Sequence, residues 1–104
     1  MRYDIVMAPE AARDWKRLVG RNRAEVRDMI ERHLRHEPTK ISKSRIKRLR
    51  GLSRPQYRLR VGDDVRVFYD VVDKTVEILA VVSKSAADEW LEGYGEQGEE
   101  GGTV

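Results

Sequence analysis

Three arginines, Arg58, Arg60 and Arg66, are the side chains whose type and spacing point most directly to chemistry. An arginine stays protonated in proteins, and its guanidinium presents a planar fork of N–H donors that matches two oxygens of a phosphate. Several such groups on one surface can hold a phosphate and stabilise negative charge that develops on it during a reaction. The three arginines therefore indicate a site for a phosphate ester or another polyanion.

The residues around these arginines predict a β-hairpin. Apolar side chains recur at every second position on both sides of a Gly-Asp-Asp segment: Tyr57, Leu59, Val61, Val65, Val67 and Tyr69. A two-residue loop would place Leu59 opposite Arg66 and mix charge into the apolar face. A three-residue loop over residues 62–64 places Val61 opposite Val65 and keeps that face apolar throughout. We expect the three-residue loop and the register that it sets.

This register places the arginines together on the opposite face of the hairpin. Arg60 then lies opposite Arg66, and Arg58 lies opposite Phe68. Like charges directly opposite one another destabilise a sheet by up to about 1 kcal/mol, so a structural role alone explains the first pair poorly. We expect function on this face. The alternative is a solvated face whose arginines form ion pairs with acidic residues.

Positive charge is concentrated in the middle of the chain. Residues 40–66 contain ten Lys or Arg and two Asp, whereas residues 67–104 contain two Lys and nine acidic residues. Such a field attracts polyanions. We expect nucleic-acid contacts from six side chains: Lys43, Lys47, Arg48, Arg50, Arg54 and Phe68. A basic run can also be a solvated surface, and Phe68 could pack under the final helix instead of stacking on a base.

The N-terminal third of the sequence predicts a short strand followed by two helices. The strand begins near Tyr3, and Pro9 fits the first position of a helix that Gly20 closes. The second helix starts from an N-cap at Asn22 and ends before Pro38. The two helices are expected to form an antiparallel hairpin.

The segments on either side of the β-hairpin are predicted less uniformly. Residues 45–52 are compatible with an extended segment or a short helical turn. Residues 75–82 predict a third strand, apolar enough to be covered on both faces. A final helix follows, capped by Ser83 or Ser85. Two tryptophans are expected to anchor the core: Trp15 and Trp90.

The predicted fold class is α+β, with an N-terminal strand and a helical hairpin packed on an antiparallel β-meander, and a short C-terminal helix. Residues 1–92 are expected to form a single domain, and residues 93–104 an acidic Gly/Glu tail without order. The length of 104 residues is consistent with one domain and a small core.

The composition excludes several classes of site. The chain has no cysteine, which rules out disulfides, thiolate metal ligands and cysteine nucleophiles. His33 and His36 are three residues apart without further ligands nearby in sequence, so we predict no metal site and no cofactor. No apolar run approaches the roughly 18 residues of a membrane helix, and no signal peptide is recognised, so a cytoplasmic protein is expected.

Five segments carry a resemblance to a known family: AARDWKRL at 11–18, IKRLRGL at 46–52, YRLRVGD at 57–63, VRVFYDV at 65–71 and VEILAVV at 76–82. In this order they resemble the RelE/ParE superfamily of toxins from bacterial type II toxin–antitoxin systems, over about residues 1–91. The RelE branch is favoured, with the ParE branch as the alternative.

In the RelE branch, the resemblance implies a toxin that inhibits translation by cleaving messenger RNA on the ribosome without a metal. A ribose 2′-hydroxyl attacks the neighbouring phosphate. Arg58, Arg60 and Arg66 stand at the positions of the family's basic residues, and Lys84 is tentatively added as a catalytic cation. Two aromatic residues could stack on a base or assist: Trp90 and Tyr94.

The sequence departs from the family pattern at two C-terminal positions. Active members carry an arginine and then a tyrosine where this chain has Ser85 and Leu91. The departure raises two alternatives: a ParE-like inhibitor of DNA gyrase that does no chemistry, and a weak RelE homologue that acts through antitoxin binding and operator regulation. The implied partners are an antitoxin with an amphipathic helix, ribosome-bound messenger RNA, and operator DNA contacted through the antitoxin.

Overall fold

The structure, a computed structural model, describes residues 1–97. The elements follow in this order: β1 (Asp4–Met7), α1 (Pro9–Arg17), α2 (Gly20–Leu34), β2 (Ile46–Arg48), β3 (Leu52–Arg54), β4 (Tyr57–Val61), β5 (Val65–Val72), β6 (Thr75–Ser83), a 3₁₀ turn (Lys84–Ala86), α3 (Ala87–Tyr94) and β7 (Glu96–Gln97). The predicted α+β fold class is confirmed.

Five strands form the main sheet in the order β1-β6-β5-β4-β2. β1 runs parallel to β6, and the other neighbours are antiparallel, as the predicted meander requires. β2 settles the open question about residues 45–52, because Ile46 is buried and pairs with Leu59 at the sheet edge. Of the two predicted possibilities, the structure has the extended segment, as β2 and the start of β3.

Helices α1 and α2 cover one face of this sheet. Their apolar stripes pack on the inward side chains of the strands, and the buried members from the helices are Ala11, Val26, Met29, Ile30 and Leu34. The indole Nε1 of Trp15 donates a hydrogen bond to the Arg23 carbonyl at 3.0 Å, which ties the two helices together. Trp15 is partly buried and packs against this core, as predicted.

The connection between the helices differs from the prediction. α1 ends at Arg17, and Gly20 is the first residue of α2 instead of the residue that closes α1. Leu18 and Val19 both adopt extended backbone, with ψ of 151° and 154°, so the chain reverses without a left-handed glycine. Asn22 therefore lies inside α2 and is not its N-cap.

The predicted register of the β4–β5 hairpin is confirmed. Val61 pairs with Val65, Arg60 with Arg66, and Arg58 with Phe68. Gly62 opens the three-residue loop with φ of +58°, a left-handed conformation that a glycine adopts without strain. The sheet face away from α1 and α2 therefore carries the arginines.

A second, smaller core forms on that outer face, where α3 packs across β5 and β6. Phe68, Ala80 and Ala87 are buried there, with Trp90 and Leu91 against them. The Ser83 hydroxyl accepts a hydrogen bond from the Ala86 amide at 3.3 Å, so Ser83 is the predicted cap, although of the 3₁₀ turn that leads into α3.

Two elements reach past residue 92, where the domain was predicted to end. α3 runs to Tyr94, and β7 pairs with β3 in a small second sheet. The domain boundary itself stays a prediction. The rest of the predicted tail, 98–104, lies outside the described residues.

Candidate phosphate-binding cleft

The outer face contains a cleft of about 210 Å³ between the β4–β5 hairpin and the start of α3. Three cations line it: Arg58, Arg66 and Lys84. Phe68 and Leu91 contribute apolar walls, and Asp88 contributes a carboxylate. The structure thus brings together three of the four side chains predicted to be catalytic.

Arg66 is held in place by the hairpin loop. It is the second residue of β5 and is only 6% exposed. Nη1 donates to the Val65 carbonyl at 2.9 Å and makes longer contacts of 3.4 Å to the carbonyls of Gly62 and Asp63. These acceptors orient the guanidinium, and none of them is a carboxylate that would offset its charge.

Arg58 forms no ion pair with any side chain of residues 1–97. Its Nε is buried and has no hydrogen-bond partner among the described residues. Burial lowers the pKa of the Arg58 guanidinium, and the nearby charges of Arg66 and Arg60 lower this pKa further. A buried donor without an acceptor destabilises a protein, so an anion in the cleft would relieve both the missing hydrogen bond and the repulsion.

Arg60 lies on the same face but turns away from the cleft. Its Nη2 forms an ion pair with Asp63 at 2.6 Å, and its Nε donates to the Gly62 carbonyl at 3.1 Å. Arg60 lines a neighbouring cleft of about 300 Å³ with Ser44 and Arg45. The structure therefore separates Arg60 from the two arginines with which it was grouped.

Lys84 directly follows the end of β6, and this position places it at the cleft. Ser83 pairs with Val65, and the Lys84 amide donates to the Asp64 carbonyl at 2.7 Å, which fixes the 3₁₀ turn beside the hairpin loop. The Lys84 side chain is exposed. It makes no hydrogen bond or ion pair within residues 1–97, so its ammonium is available at the rim.

Phe68 corrects one predicted nucleic-acid contact. It is fully buried and stacks on Trp90, with ring centroids 4.9 Å apart, so no face is left for a base. Tyr94 stacks on the other face of Trp90 at 4.6 Å. The interpretation that Phe68 packs under the last helix is the correct one. Because Phe68 and Tyr94 cover both faces of Trp90, the predicted stacking of Trp90 on a base is wrong for the same reason.

Arg54, another predicted nucleic-acid contact, forms ion pairs with two carboxylates. Its Nε pairs with Asp70 at 2.8 Å and its Nη2 lies 3.3 Å from Glu77. The hydrogen bond to Asp70 raises the pKa of Arg54. Asp70 is buried and also accepts a hydrogen bond from the Gln56 amide at 2.7 Å. Sequence distance hides these pairs, and the nucleic-acid contact of Arg54 stays a prediction.

The remaining predicted nucleic-acid contacts are exposed: Lys43, Lys47, Arg48 and Arg50. Lys47 pairs with Arg58 in the β2–β4 ladder, which places both on the outer face. Arg48 faces the other way, because its guanidinium lies over the Tyr57 ring at 5.2 Å and donates to the Gln56 carbonyl at 2.7 Å.

Two residues at these clefts were missed by the sequence analysis. Asp88 lies in the cleft lined by Arg58, Arg66 and Lys84, which is called the central cleft below. Arg45 lines the neighbouring cleft of Arg60 and a further cleft next to α2. Asp88 is four residues after Lys84 in a continuous helical segment, and this spacing places side chains on one face. The spacing was a usable signal for Asp88.

Another cleft, of about 450 Å³, lies where α2 meets the loop before β2. Arg32, Lys40 and Arg45 line it around His33, whose Nε2 is buried without a partner among the described residues. Burial lowers the pKa of His33, and the charges of Arg45 and Arg32 lower it further.

The neutral state of His33 predicts an acid-side loss of stability. Because the folded-state pKa lies below the ordinary 6.5, the unfolded chain binds the extra proton first. The free energy of unfolding should therefore fall as the pH drops below about 6.5. Urea titrations between pH 7 and pH 5 test this: His33→Gln should weaken the dependence, whereas His36→Gln, which retains His33, should keep it. An unchanged dependence in His33→Gln would contradict the assignment.

Within residues 1–97, no group of three His, Asp or Glu side chains is placed to hold a metal ion. None of the described helices combines the length and apolarity needed to cross a membrane.

Comparison with known proteins places these observations in a family. A model described as the ParE toxin of the type II toxin–antitoxin system parDE matches residues 5–87. No curated protein sequence is similar enough to the chain to count as a relative.

Several solved structures share the fold. The toxin–antitoxin complex RelBE2 of Mycobacterium tuberculosis contains a chain 28% identical, with a TM-score of 0.63, covering 81% of this chain and 100% of that one. A chain of the RelE–RelB complex of Pyrococcus horikoshii is also 28% identical, at a TM-score of 0.59, covering 81% and 97%. In the DinJ–YafQ complex of E. coli the match is 16% identical, at a TM-score of 0.64, covering 83% and 97%, and this likeness concerns the fold alone.

Proposed function

The chain belongs to the ParE toxin family of type II toxin–antitoxin systems, and we propose that it is a toxin that cleaves messenger RNA on the ribosome. The observation that carries this proposal is the central cleft, where the buried Nε of Arg58 has no acceptor among residues 1–97 and lies beside the fixed Arg66. Such a pair is arranged for an anion with several oxygens, and the phosphodiester of RNA is one.

The proposed reaction is an intramolecular transfer at phosphorus. The ribose 2′-oxygen forms a bond to the adjacent phosphorus, and the bond from phosphorus to the 5′-oxygen of the next nucleotide breaks. Arg58 and Arg66 hold the non-bridging oxygens and stabilise the charge that grows on them in the transition state. Lys84, at the exposed rim, is positioned to protonate the leaving 5′-oxygen. The products are a 2′,3′-cyclic phosphate and a 5′-hydroxyl.

A basic path leads from the central cleft along the outer face. The cleft that contains Arg60 shares Ser44 and Arg45 with the large cleft around His33. Arg60 in turn pairs with Arg66 across the hairpin. The phosphates on one side of the scissile bond are proposed to follow this path, which extends the expected contact surface beyond the residues identified from the sequence.

The outer face predicts a difference between two adjacent basic residues on β2. Lys47 lies opposite Arg58 on that face, and Lys47→Ala should lower the salt dependence of RNA binding by about 0.7 in slope, the value for one phosphate contact on a single strand. Arg48→Ala should leave the slope unchanged, because Arg48 lies over Tyr57 and away from the outer face. Binding of an RNA with 2′-deoxy substitution at the cleavage site, measured from 50 to 300 mM salt, tests the pair. Equal slopes in the two variants would contradict a phosphate contact at Lys47.

The family also supports a partner. Neighbouring structures are complexes of a toxin with its antitoxin, and we infer a cognate antitoxin for this chain. An acidic, amphipathic helix of the antitoxin would complement the basic outer face, and operator DNA would be contacted through the antitoxin.

A second function, binding to DNA gyrase without chemistry, is favoured by two observations. The matching family model is that of ParE toxins, and Ser85 and Leu91 occupy positions where active RelE members carry Arg and Tyr. A third is a catalytically weak homologue that acts through its antitoxin on the operator.

Induced expression distinguishes these functions. Primer extension on cellular messages should show cuts in phase with codons if the chain is a ribosome-dependent ribonuclease. DNA breaks with intact messages would support gyrase inhibition. Normal growth with intact messages and DNA would leave only the regulatory role.

A further inference from the structure

We propose that Asp88 is the proton acceptor of the central cleft. This role rests on the proposed function, because it requires that the chain cleave RNA through the 2′-hydroxyl. The family position that would usually supply tyrosine holds Leu91 here, and Asp88 was not recognised as a site residue from the sequence.

The chemistry of the cleft leaves this step to a carboxylate. The three cations of the cleft have hydrogen-bond donors and no acceptor when they are charged. None of them can therefore take a proton from a hydroxyl. Among the described residues that line the cleft, Asp88 is the one with an ionisable acceptor. A group that removes the proton of the attacking hydroxyl commonly accelerates such a reaction about a hundred- to ten-thousandfold.

The surroundings of Asp88 keep its carboxylate available. Three cations line the same cleft, yet Asp88 forms no hydrogen bond or ion pair within residues 1–97. It is exposed and follows Lys84 by four residues in a continuous helical segment. The proton acceptor and the proposed proton donor therefore both line the phosphate site, where one can serve the attacking oxygen and the other the leaving oxygen.

Each proton that moves in the proposed step has a defined source and a defined acceptor. Asp88 takes the proton of the 2′-hydroxyl as the new oxygen–phosphorus bond forms. Lys84 gives a proton to the 5′-oxygen as its bond to phosphorus breaks. Solvent then returns a proton to Lys84 and removes one from Asp88, which restores both groups.

The simpler explanation for Asp88 is a stabilising charge in the first turn of α3, and its neighbour provides a matched control. Glu89 also lies in that first turn and is exposed, but it does not line the cleft. A charge at the helix start can be supplied by either residue, whereas proton transfer in the cleft requires Asp88.

The test separates binding from chemistry in Asp88→Asn, Asp88→Glu and Glu89→Gln. Single-turnover cleavage of ribosome-bound message is measured against pH, and affinity is measured with RNA that carries a 2′-deoxy sugar at the cleavage site. Asp88→Asn should bind as tightly as the wild type or more tightly, because a negative charge leaves a cationic cleft. Its cleavage rate should fall about a hundredfold or more, with loss of the acid limb of the pH profile.

The other two variants have expected results that distinguish proton transfer by Asp88 from a structural role. Asp88→Glu should recover part of the rate, and Glu89→Gln should match the wild type, with equal melting temperatures throughout. Cleavage by Asp88→Asn within threefold of wild type, or a loss in affinity equal to the loss in rate, would overturn the role of Asp88 alone. A folded wild-type protein that never cleaves message would overturn the proposed function and this role together.

Discussion

Arg66→Ala is expected to lower the rate of message cleavage by about a hundred- to a thousandfold while the fold survives. The hydrogen-bond partners of its guanidinium are three neutral carbonyls at the hairpin loop and the start of β5, so no carboxylate offsets its charge. These carbonyls belong to residues 62, 63 and 65, two of them in an exposed turn where water can replace the lost donor. The measurement is single-turnover cleavage alongside the melting temperature of each variant.

Arg60→Ala is the matched control for this prediction. Arg60 lies directly opposite Arg66, but its guanidinium is paired with Asp63 and faces the neighbouring cleft. We expect its cleavage rate to fall less than about tenfold, because it contributes to the path and not to the reacting phosphate. Arg66→Lys should keep the charge and lose the two-point geometry, giving an intermediate rate. Full activity in a folded Arg66→Ala protein would contradict the assignment of the central cleft.

Asp70→Ala is expected to destabilise the fold by about 3 kcal/mol, because it leaves Arg54 and the Gln56 amide without their shared acceptor. For a domain of this size, that loss corresponds to a fall in melting temperature of about 10 to 20 °C. Thermal or urea unfolding measures it.

The exposed pair of Arg60 and Asp63 provides the comparison. The Asp63 side chain is 85% exposed, whereas that of Asp70 is 6% exposed, although both carboxylates contact an arginine at under 3 Å. Asp63→Ala should therefore change the free energy of unfolding by less than about 1 kcal/mol. Equal effects of the two substitutions would show that burial does not determine the strength of these pairs.

The sheet and its register were predictable from the sequence because both depend on local regularities. Apolar side chains alternate along β4 and β5, and one choice of loop length keeps charge out of the apolar face. The pairing of Arg60 with Arg66 followed from that choice alone. The β-meander, the helical hairpin and the short C-terminal helix were predicted for similar reasons.

The sequence was less informative where a side chain is determined by a distant part of the chain. Arg54 appeared to be one more charge in a basic run, but Asp70, sixteen residues later, binds it. Phe68 was ambiguous until the position of α3 was known, because Trp90 of that helix stacks on its ring. β7 was not predicted, because it is too short to show a period and pairs with the distant β3. The errors at Gly20 and Asn22 were local, because extended backbone at Leu18 and Val19 reverses the chain.

The central claim is that the central cleft cleaves messenger RNA on the ribosome. Purified components test this claim most directly. Toxin free of antitoxin is added to ribosomes programmed with a defined message, and the RNA ends are mapped with wild type and Arg66→Ala. We predict cuts within the codon in the ribosomal A site that leave a 2′,3′-cyclic phosphate, require the ribosome, and disappear in Arg66→Ala. An intact message with folded wild-type toxin, or equal cutting by Arg66→Ala, would contradict the claim.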